Sequence, residues 1–243
     1  MPTPYEVVDR MLDVAKVRTG DIVYDLGCGD GRMVIAAAKK FGTRGVGVDL
    51  DPARIREARA NAKQAGVDGL VTFRVADMFQ TDIREATVVM LYLLPELNRR
   101  LKPKLFAELR PGARVVSHDW DMGDWKPDRT LSLAVPEKKV GLEKVSRVHL
   151  WIVPARVDGA WCGTGKARGT RLDIAQAFQK FEARVGPDPQ LSFEGRIEGA
   201  ALRGPSGIAF TFDGQQIHNT HASGRYAALH GARFRPLRGA ACK

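Results

Sequence analysis

Asp25-Leu26-Gly27-Cys28-Gly29-Asp30-Gly31 lies between a short apolar run at residues 21–26 and a segment with the apolar spacing of a helix. A strand, a glycine-rich turn and a helix in this order are the unit from which parallel α/β sheets are built. Glycine in such a turn leaves the backbone open to the close approach of a ligand. The stretch therefore predicts a ligand-binding turn at the end of a buried strand.

The glycine spacing does not fit a dinucleotide site. That fingerprint is Gly-x-Gly-x-x-Gly, and Arg32 stands where a third glycine should follow Gly27 and Gly29. Asp25 and Asp30 flank the turn, where carboxylates would repel a pyrophosphate and attract a ligand that carries a sulfonium and an ammonium group. S-adenosylmethionine is such a ligand.

The chain up to about residue 118 alternates helical spacing with short β-branched runs, which predicts an α/β fold with a Rossmann-like doubly wound sheet. Asp51 and Pro52 have the residue types of a helix N-cap and first helical position. Pro95 and Pro103 each suit the start of a short helix. Strands are predicted at residues 21–26, 45–49, 71–75, 87–94 and 113–118.

The composition and the hydrophobic pattern of the sequence change in the second half of the chain. Residues 155–169 are rich in glycine and small side chains, and residues 191–197 and 208–212 alternate with a period of two. Residues 172–178 also favour a strand. We therefore predict two domains, 1–154 with the ligand-binding turn and 155–243 as a C-terminal antiparallel β module that binds substrate or another copy of the chain.

The glycine turn resembles motif I of class I S-adenosylmethionine-dependent methyltransferases, whose consensus is Asp/Glu-x-Gly-x-Gly-x-Gly. The resemblance implies that Asp49, at the end of the second strand, binds the ribose hydroxyls, and that Asp77, after the third, accepts from the adenine amino group. Leu50 and Met78 would enclose the adenine ring. Either aspartate alone would favour a solvated loop, but three matches in order, each at the carboxyl end of a predicted strand, favour the cofactor site. The implied cofactor contacts are Asp25, Gly27, Cys28, Gly29, Asp30, Asp49, Leu50, Asp77 and Met78.

A closer resemblance covers roughly residues 3–130. Thr3-Pro4, the run from residue 24 to 32, the run from 91 to 95, and Trp125-Lys126-Pro127-Asp128 are similar to the protein-lysine methyltransferases that act on the c-ring protein of ATP synthase and on the ADP/ATP carrier. The resemblance implies transfer of a methyl group to a protein lysine. A small-molecule or RNA methyltransferase on the same fold, or a non-catalytic protein that binds S-adenosylmethionine, remains an alternative.

The predicted acceptor pocket follows the fourth strand. Tyr92 would orient an amine or close the adenosine pocket, and Pro95 lies beside it. Trp125 would contact a lysine side chain, cover the cofactor or pack in the core. His118 would serve as a base or as hydrogen-bonded scaffold. The Asn/Asp-Pro-Pro-Tyr signature of enzymes that methylate nucleobase amino groups is absent, so nucleic acid is a possible but not favoured acceptor.

The formal charge of +10 is unevenly distributed. Residues 1–128 carry 20 Lys and Arg against 19 Asp and Glu, whereas residues 129–243 carry 18 against 9. A basic module could bind RNA, an acidic protein or an anionic membrane, but no dense basic run with interleaved aromatics appears, which favours a solvated face. We predict no metal site and leave the oligomeric state open.

Cys28, Cys162 and Cys242 are far apart and odd in number, which indicates reduced thiols. The first residues have neither the basic start nor the apolar stretch of a secretion signal, and no apolar run approaches the roughly 20 residues of a membrane span. The expected location is the cytoplasm.

Overall fold

The computed structural model of the chain describes residues 2–136, 144–186, 191–239 and 241–242. The chain divides into two compact units, Met1–Ile152 and Val153–Lys243. None of the helices in the described ranges is both long enough and apolar enough to cross a membrane.

The first unit is a seven-stranded sheet with the strand order β3-β2-β1-β4-β5-β7-β6. Strands β1 to β5 run parallel, and β6 and β7 are antiparallel additions at one edge. The α/β fold predicted from the sequence is confirmed. Its elements are α1 (Tyr5–Val14), β1 (Ile22–Leu26), α2 (Arg32–Phe41), β2 (Arg44–Asp49), α3 (Pro52–Gln64), β3 (Val71–Val75), β4 (Val88–Leu91), α4 (Pro95–Glu108), β5 (Arg114–His118), β6 (Arg129–Ala134) and β7 (Val145–Ile152).

The strand order reverses between β1 and β4. In a doubly wound sheet, the carboxyl ends of the strands beside such a reversal form a crevice in which ligands bind. Strand β4 is buried throughout, and β1 is buried except at its first residue, so the segments that follow the two strands form the accessible part of this region. The glycine turn follows β1, and the segment with Tyr92 follows β4.

Two local predictions in this unit are wrong. Strand β4 ends at Leu91 rather than at residue 94, because Leu94 is already the N-cap of α4. Helix α4 is one helix that contains Pro103, not two short helices. A proline inside a helix removes a backbone hydrogen bond, but Leu101 and Leu105 are completely buried on either side of it. Tertiary packing therefore outweighs the local cost of the proline.

The second unit is a closed antiparallel barrel of eight strands. Inward-facing residues alternate with exposed ones, as in β10, and fill the interior with a continuous apolar core that includes Phe181, Phe193 and Phe234. Its strands are β8 (Gly159–Thr164), β9 (Arg171–Ala177), β10 (Lys180–Val185), β11 (Ser192–Glu198), β12 (Ala201–Arg203), β13 (Ile208–Phe212), β14 (Ile217–Ala222) and β15 (Arg233–Pro236).

The interpretation of all three cysteines as reduced thiols is wrong for two of them. Cys162 and Cys242 form a disulfide between residues 80 positions apart, with a Cα–Cα distance of 5.4 Å. The barrel closes through antiparallel pairing of β15 with β8, which places Arg235 opposite Cys162 and returns the chain to that strand. Sequence spacing alone does not reveal this closure. Cys28 is free and buried.

Candidate functional site

The turn after β1 is held by backbone hydrogen bonds to the end of β2. The N–H groups of Gly27 and Cys28 both donate to the carbonyl of Val48 at 2.9 Å. Gly27 has a φ of +85°, and a Cβ there would lie 2.9 Å from the Leu93 side chain. Gly29 also has a positive φ, of +52°, and a Cβ there would meet no atom within 4 Å. The turn thus packs tightly at Gly27 and leaves open space at Gly29.

Two cavities meet at Gly27, which lines both. The first, of about 400 Å³, lies on the side of α1 and β4 and is lined by Pro2, Thr3, Asp25, Gly27, Cys28, Gly29, Asp30, Arg32, Met33, Arg54, Glu57 and Tyr92. The second, of about 380 Å³, lies over the ends of β2 and β3 and is lined by Gly27, Val48, Asp49, Leu50, Ala76, Asp77, Met78, Phe79, Leu93, Leu97 and Arg100. Each of the nine predicted cofactor contacts lines one of the two cavities.

In the second cavity, two carboxylates are oriented by backbone N–H groups. Asp49 accepts from Gly29 N and from Asp51 N, both at 3.0 Å. Asp77 accepts from Phe79 N at 2.8 Å. Leu50 lines the same cavity and is 70% exposed. The cavity therefore combines fixed hydrogen-bond acceptors with an apolar surface suited to a flat ring.

Asp25 is the most unusual charged group of the first cavity. Its side chain is 2% exposed. Burial, followed by the charges of Asp30 and Asp49, raises the pKa of the Asp25 carboxyl to about 8. No side-chain or backbone donor within the described residues forms a hydrogen bond with it. A buried carboxyl without a donor is costly, and a cation in the cavity would relieve that cost.

Asp30 has the opposite environment. Burial alone would raise its pKa, but hydrogen bonds from Arg32 and the charge of that guanidinium outweigh burial and lower it. Arg32 Nε donates to the Asp30 carboxylate at 2.9 Å, and Nη1 donates to the carbonyl of Thr3 at 2.7 Å. The Arg32 guanidinium also lies 4.8 Å from the centre of the Tyr5 ring. Arg32 thus ties the N-terminal segment, residues 2–5, to the glycine turn.

The same N-terminal segment contacts the acceptor side. Thr3 is 2% exposed, and its hydroxyl shares a hydrogen bond of 3.2 Å with Nδ1 of His118. Nε2 of His118 shares another with the Ser146 hydroxyl at 3.0 Å. The Tyr92 ring stacks on the His118 imidazole with ring centres 4.1 Å apart. Since both ring nitrogens of His118 are engaged and its side chain is 1% exposed, its role is that of scaffold.

Tyr92 itself faces the first cavity. Burial and the nearby Asp119 charge raise the pKa of its phenol, so the hydroxyl keeps its proton at neutral pH. Asp119 has a positive φ of 63°, which is uncommon outside glycine. Its carboxylate accepts from Arg147 N at 3.0 Å, a contact that fixes this conformation immediately after β5.

Comparison with known proteins relates the first unit to methyltransferases. The model of the ANTKMT methyltransferase domain matches residues 25–129. A protein-lysine N-methyltransferase of Saccharolobus islandicus is 51% identical over 134 residues, which cover 55% of this chain and 83% of that protein. The chain belongs to this family of methyltransferases. It is an S-adenosylmethionine-dependent enzyme.

Two further relatives show how much of this chain is matched. The adenine nucleotide translocase lysine N-methyltransferase of Mus musculus is 36% identical over 120 residues, which cover 49% of this chain and 52% of the mouse protein. A crystal structure described as an RNA methyltransferase from Salinibacter ruber with S-adenosyl-L-homocysteine is 52% identical, with a TM-score of 0.60, and covers 65% of this chain and 96% of that one. This methyltransferase thus spans about half the length of its mouse relative.

Two of the predicted acceptor residues do not line the cavities of this methyltransferase. Trp125 is completely buried, 5.9 Å from the Phe106 ring and 6.1 Å from the Trp151 ring, so core packing replaces the predicted contact with a lysine. Pro95 is the first residue of α4, where its ring fixes the start of the helix. Neither residue is retained as a catalytic candidate.

Sequence reasoning missed the contributions of Thr3, Arg32 and Asn98. Thr3 and Arg32 lie in stretches that carry the family resemblance, but no local pattern shows that they contact each other or, for Thr3, His118. Asn98 is completely buried in α4 and donates to the Ser117 hydroxyl at 3.1 Å and to the Trp120 carbonyl at 3.0 Å, which fixes the chain after β5. A polar residue at a buried position of a helix was the available signal.

Proposed function

We propose that this methyltransferase transfers a methyl group to the side-chain nitrogen of a protein lysine. The acceptor class rests on the Saccharolobus islandicus relative, which is a protein-lysine N-methyltransferase and is matched over most of its length. The relative from Mus musculus, named as a lysine N-methyltransferase of the adenine nucleotide translocase, supports the same acceptor chemistry.

The observation that carries the cofactor assignment is the buried Asp25 carboxyl, which lacks a hydrogen-bond donor in the described structure and lines a cavity beside the glycine turn. S-adenosylmethionine brings an electrophilic methyl group on a sulfonium, together with an ammonium group. We assign the cationic end of the cofactor to the first cavity, where Asp25 and Asp30 supply negative charge and the turn at Gly27, Cys28 and Gly29 supplies close backbone approach.

We assign the adenosine to the second cavity. Asp49 would accept hydrogen bonds from the ribose hydroxyls, because a carboxylate can accept from both members of a diol. Asp77 would accept from the adenine amino group, and Leu50 and Met78 would enclose the ring. The positions of these four residues in one lining support the assignment.

The protein's own part in the reaction is to hold the acceptor and exclude water. Tyr92 would hold the lysine nitrogen through its hydroxyl, while the stack on His118 fixes the direction of the ring. Thr3, which lines the same cavity, would help to close it. No residue needs to form a covalent bond with the acceptor, since methyl transfer is a direct displacement at carbon.

Methylation of RNA is a second candidate, because the Salinibacter ruber structure is described as an RNA methyltransferase and is 52% identical. Incubation with tritiated S-adenosylmethionine and separated protein and RNA fractions of one cell extract distinguishes the two. Label in a protein band that yields methyl-lysine by mass spectrometry supports the lysine proposal, whereas label confined to RNA overturns it. Asp49→Ala serves as the impaired variant, with Asp51→Ala as its matched control.

A cytoplasmic location is a further proposal for this methyltransferase. The Cys162–Cys242 disulfide counts against it, because such bonds are rare where thiols are kept reduced. Alkylation of free thiols in intact cells, followed by peptide mapping, tests this point. A reduced pair in a cytosolic fraction supports the proposal, and an oxidised pair outside that fraction contradicts it.

A further inference from the structure

A cleft of about 1300 Å³ lies in the barrel and is separate from the two cavities of the first unit. Four arginines line it: Arg156 before β8, Arg168 after β8, Arg235 in β15 and Arg238 after β15. One carboxylate, that of Asp158, is also in the lining, and it accepts from Gln176 N at 2.8 Å. The lining therefore carries an excess of positive charge.

Among the residues that the structure describes, these four guanidinium groups have no side-chain partner. Within the described residues, none of them forms an ion pair or a side-chain hydrogen bond. Elsewhere in the same barrel, Arg171 pairs with Asp173 at 2.8 Å and Arg225 donates to the Tyr226 hydroxyl at 2.7 Å. Like charges gathered in one cleft repel one another, and an anionic ligand would remove that repulsion.

The disulfide forms part of the same cleft. Cys162 lines it, and so do Arg235 to Gly239 and Ala241 from the chain's last segment. Because Cys242 is bonded to Cys162, the segment that carries Arg238 is held against β8 as a wall. The same segment is also held to β8 by the Leu237 N–H, which donates to the carbonyl of Ala160 at 2.9 Å.

We propose that this cleft binds the phosphodiester backbone of a single-stranded nucleic acid. The planar guanidinium matches two phosphate oxygens at once, and its charge does not depend on pH in the ordinary range. Four arginines from separate segments around a cleft of about 1300 Å³ fit a chain of phosphates better than one compact anion. The sequence alone favours a solvated basic face for the second half of the chain. The four arginines come from separated segments, so only the fold shows that they line one cleft.

The remaining lining also suits a nucleotide chain. Phe212 is half-buried at the cleft and packs edge-on against Trp161 with ring centres 5.9 Å apart, which leaves an aromatic surface for a base. Gln215 and Gln216 offer amide donors and acceptors for base edges. A peptide that binds by adding a strand would need a free strand edge, and this barrel is closed, with each strand paired on both sides.

The test is fluorescence anisotropy of a labelled twelve-nucleotide uridine RNA with the full-length protein, at several salt concentrations. The double variant Arg235→Gln/Arg238→Gln removes two charges from the cleft. Arg184→Gln/Arg203→Gln removes two from exposed positions of the barrel outside the cleft and is the matched control. Binding of S-adenosylmethionine to each variant verifies that the first unit is folded, and near-ultraviolet circular dichroism verifies the barrel.

We expect the wild-type protein to bind this RNA with a slope of log affinity against log salt of about −3, since each neutralised phosphate of a single strand contributes about −0.7. The cleft variant should lose roughly tenfold or more in affinity and about half of the slope, while the control should retain both. Reduction of the disulfide, checked by mass spectrometry, should weaken binding in the same direction because it releases the wall with Arg238.

Three outcomes would overturn the proposal: no RNA binding at low salt, equal loss in the cleft variant and the control, or binding of a labelled polyglutamate peptide that exceeds binding of the RNA. The last result would assign the cleft to an acidic protein. Because the readout is binding at the barrel, failure here leaves the methyl transfer proposed for the first unit untouched.

Discussion

The ring of Tyr92 lies on the imidazole of His118 with centres 4.1 Å apart and planes inclined by 29°. His118 is itself fixed by Thr3 and Ser146, so the direction of the phenol is set by three elements that are distant in sequence. Tyr92 also lines the first cavity, so the stack made by its ring and the role proposed for its hydroxyl can be tested separately.

Tyr92→Phe should therefore keep the stack and lose only the hydroxyl. We expect kcat for methyl transfer to fall roughly 10- to 100-fold, in the range for one orienting group, with little change in cofactor affinity. Tyr24→Phe, which removes the hydroxyl that donates to Glu85 at 2.7 Å, is the control away from the cavity. Full activity of Tyr92→Phe would remove Tyr92 from the acceptor site.

Asp49→Ala should weaken S-adenosylmethionine binding by about 1.5–3 kcal/mol, the range for lost hydrogen bonds to a charged group. The variant also removes the acceptor that holds Gly29 N. Asp51→Ala is the matched control, because Asp51 caps α3 by accepting from Ala53 N at 2.7 Å and does not line the cavity. Titration calorimetry measures both, and an unchanged affinity of Asp49→Ala would contradict the ribose assignment.

Cofactor binding should depend on pH through Asp25. Its pKa of about 8 means that the carboxyl is largely protonated at neutral pH, whereas a bound cation favours the ionised form. Affinity is expected to rise as the pH increases towards about 8 and to level off above, with release of up to one proton. Calorimetry in two buffers of different ionisation enthalpy measures that proton. An affinity that is independent of pH would show that Asp25 does not face the cation.

Asp25→Asn should remove this pH dependence and stabilise the cofactor-free protein. The folded state keeps a proton on Asp25 up to about pH 8, but the unfolded chain releases it near its ordinary pKa of 3.8. The contribution of Asp25 to the free energy of unfolding therefore falls as the pH rises between these values. Urea unfolding at about pH 5 and about pH 9 should show a gain for Asp25→Asn that is larger at the higher pH. A gain that is equal at both would contradict the raised pKa.

Reduction of Cys162–Cys242 should destabilise the barrel. A crosslink between residues 80 positions apart restricts the unfolded chain, which in the chain-entropy account is worth about 4 kcal/mol. Differential scanning calorimetry with and without reductant should show a lower melting temperature for the barrel. The transition of the first unit is recognised because S-adenosylmethionine raises it. A reductant that lowers only the transition of the first unit would contradict the prediction.

Much of the first unit was accessible from the sequence because its signals are local. The run from Asp25 to Gly31 specifies a strand, a turn and a helix within a few residues, and Asp49 and Asp77 lie at or just after the ends of strands that are apolar and short. Helix α4 continues through Pro103 because the neighbouring leucines are buried in the core, and the local sequence does not show this packing.

The parts that were missed depend on distant contacts. The hydrogen bond from Arg32 to Thr3 joins residues 29 positions apart, and that between Thr3 and His118 joins residues 115 apart. Trp125 beside acidic residues resembles a lysine-binding group in sequence, but only the fold shows that its ring packs against Phe106 and Trp151. The pairing of Cys162 with Cys242 likewise depends on closure of the barrel, which the sequence does not show.

Closure of that barrel also fixes an order of events in folding. Strand β8 obtains its second neighbour only from β15. Thr164 therefore cannot form this pairing until Arg233, which follows much later in the chain, is in place. Pairings between distant segments form slowly because the loop between them must first be closed. Until then β8 and β14 each present an unpaired edge to other molecules. A chain interrupted before β15 would therefore be prone to aggregate, even though its first unit carried a complete methyltransferase sheet.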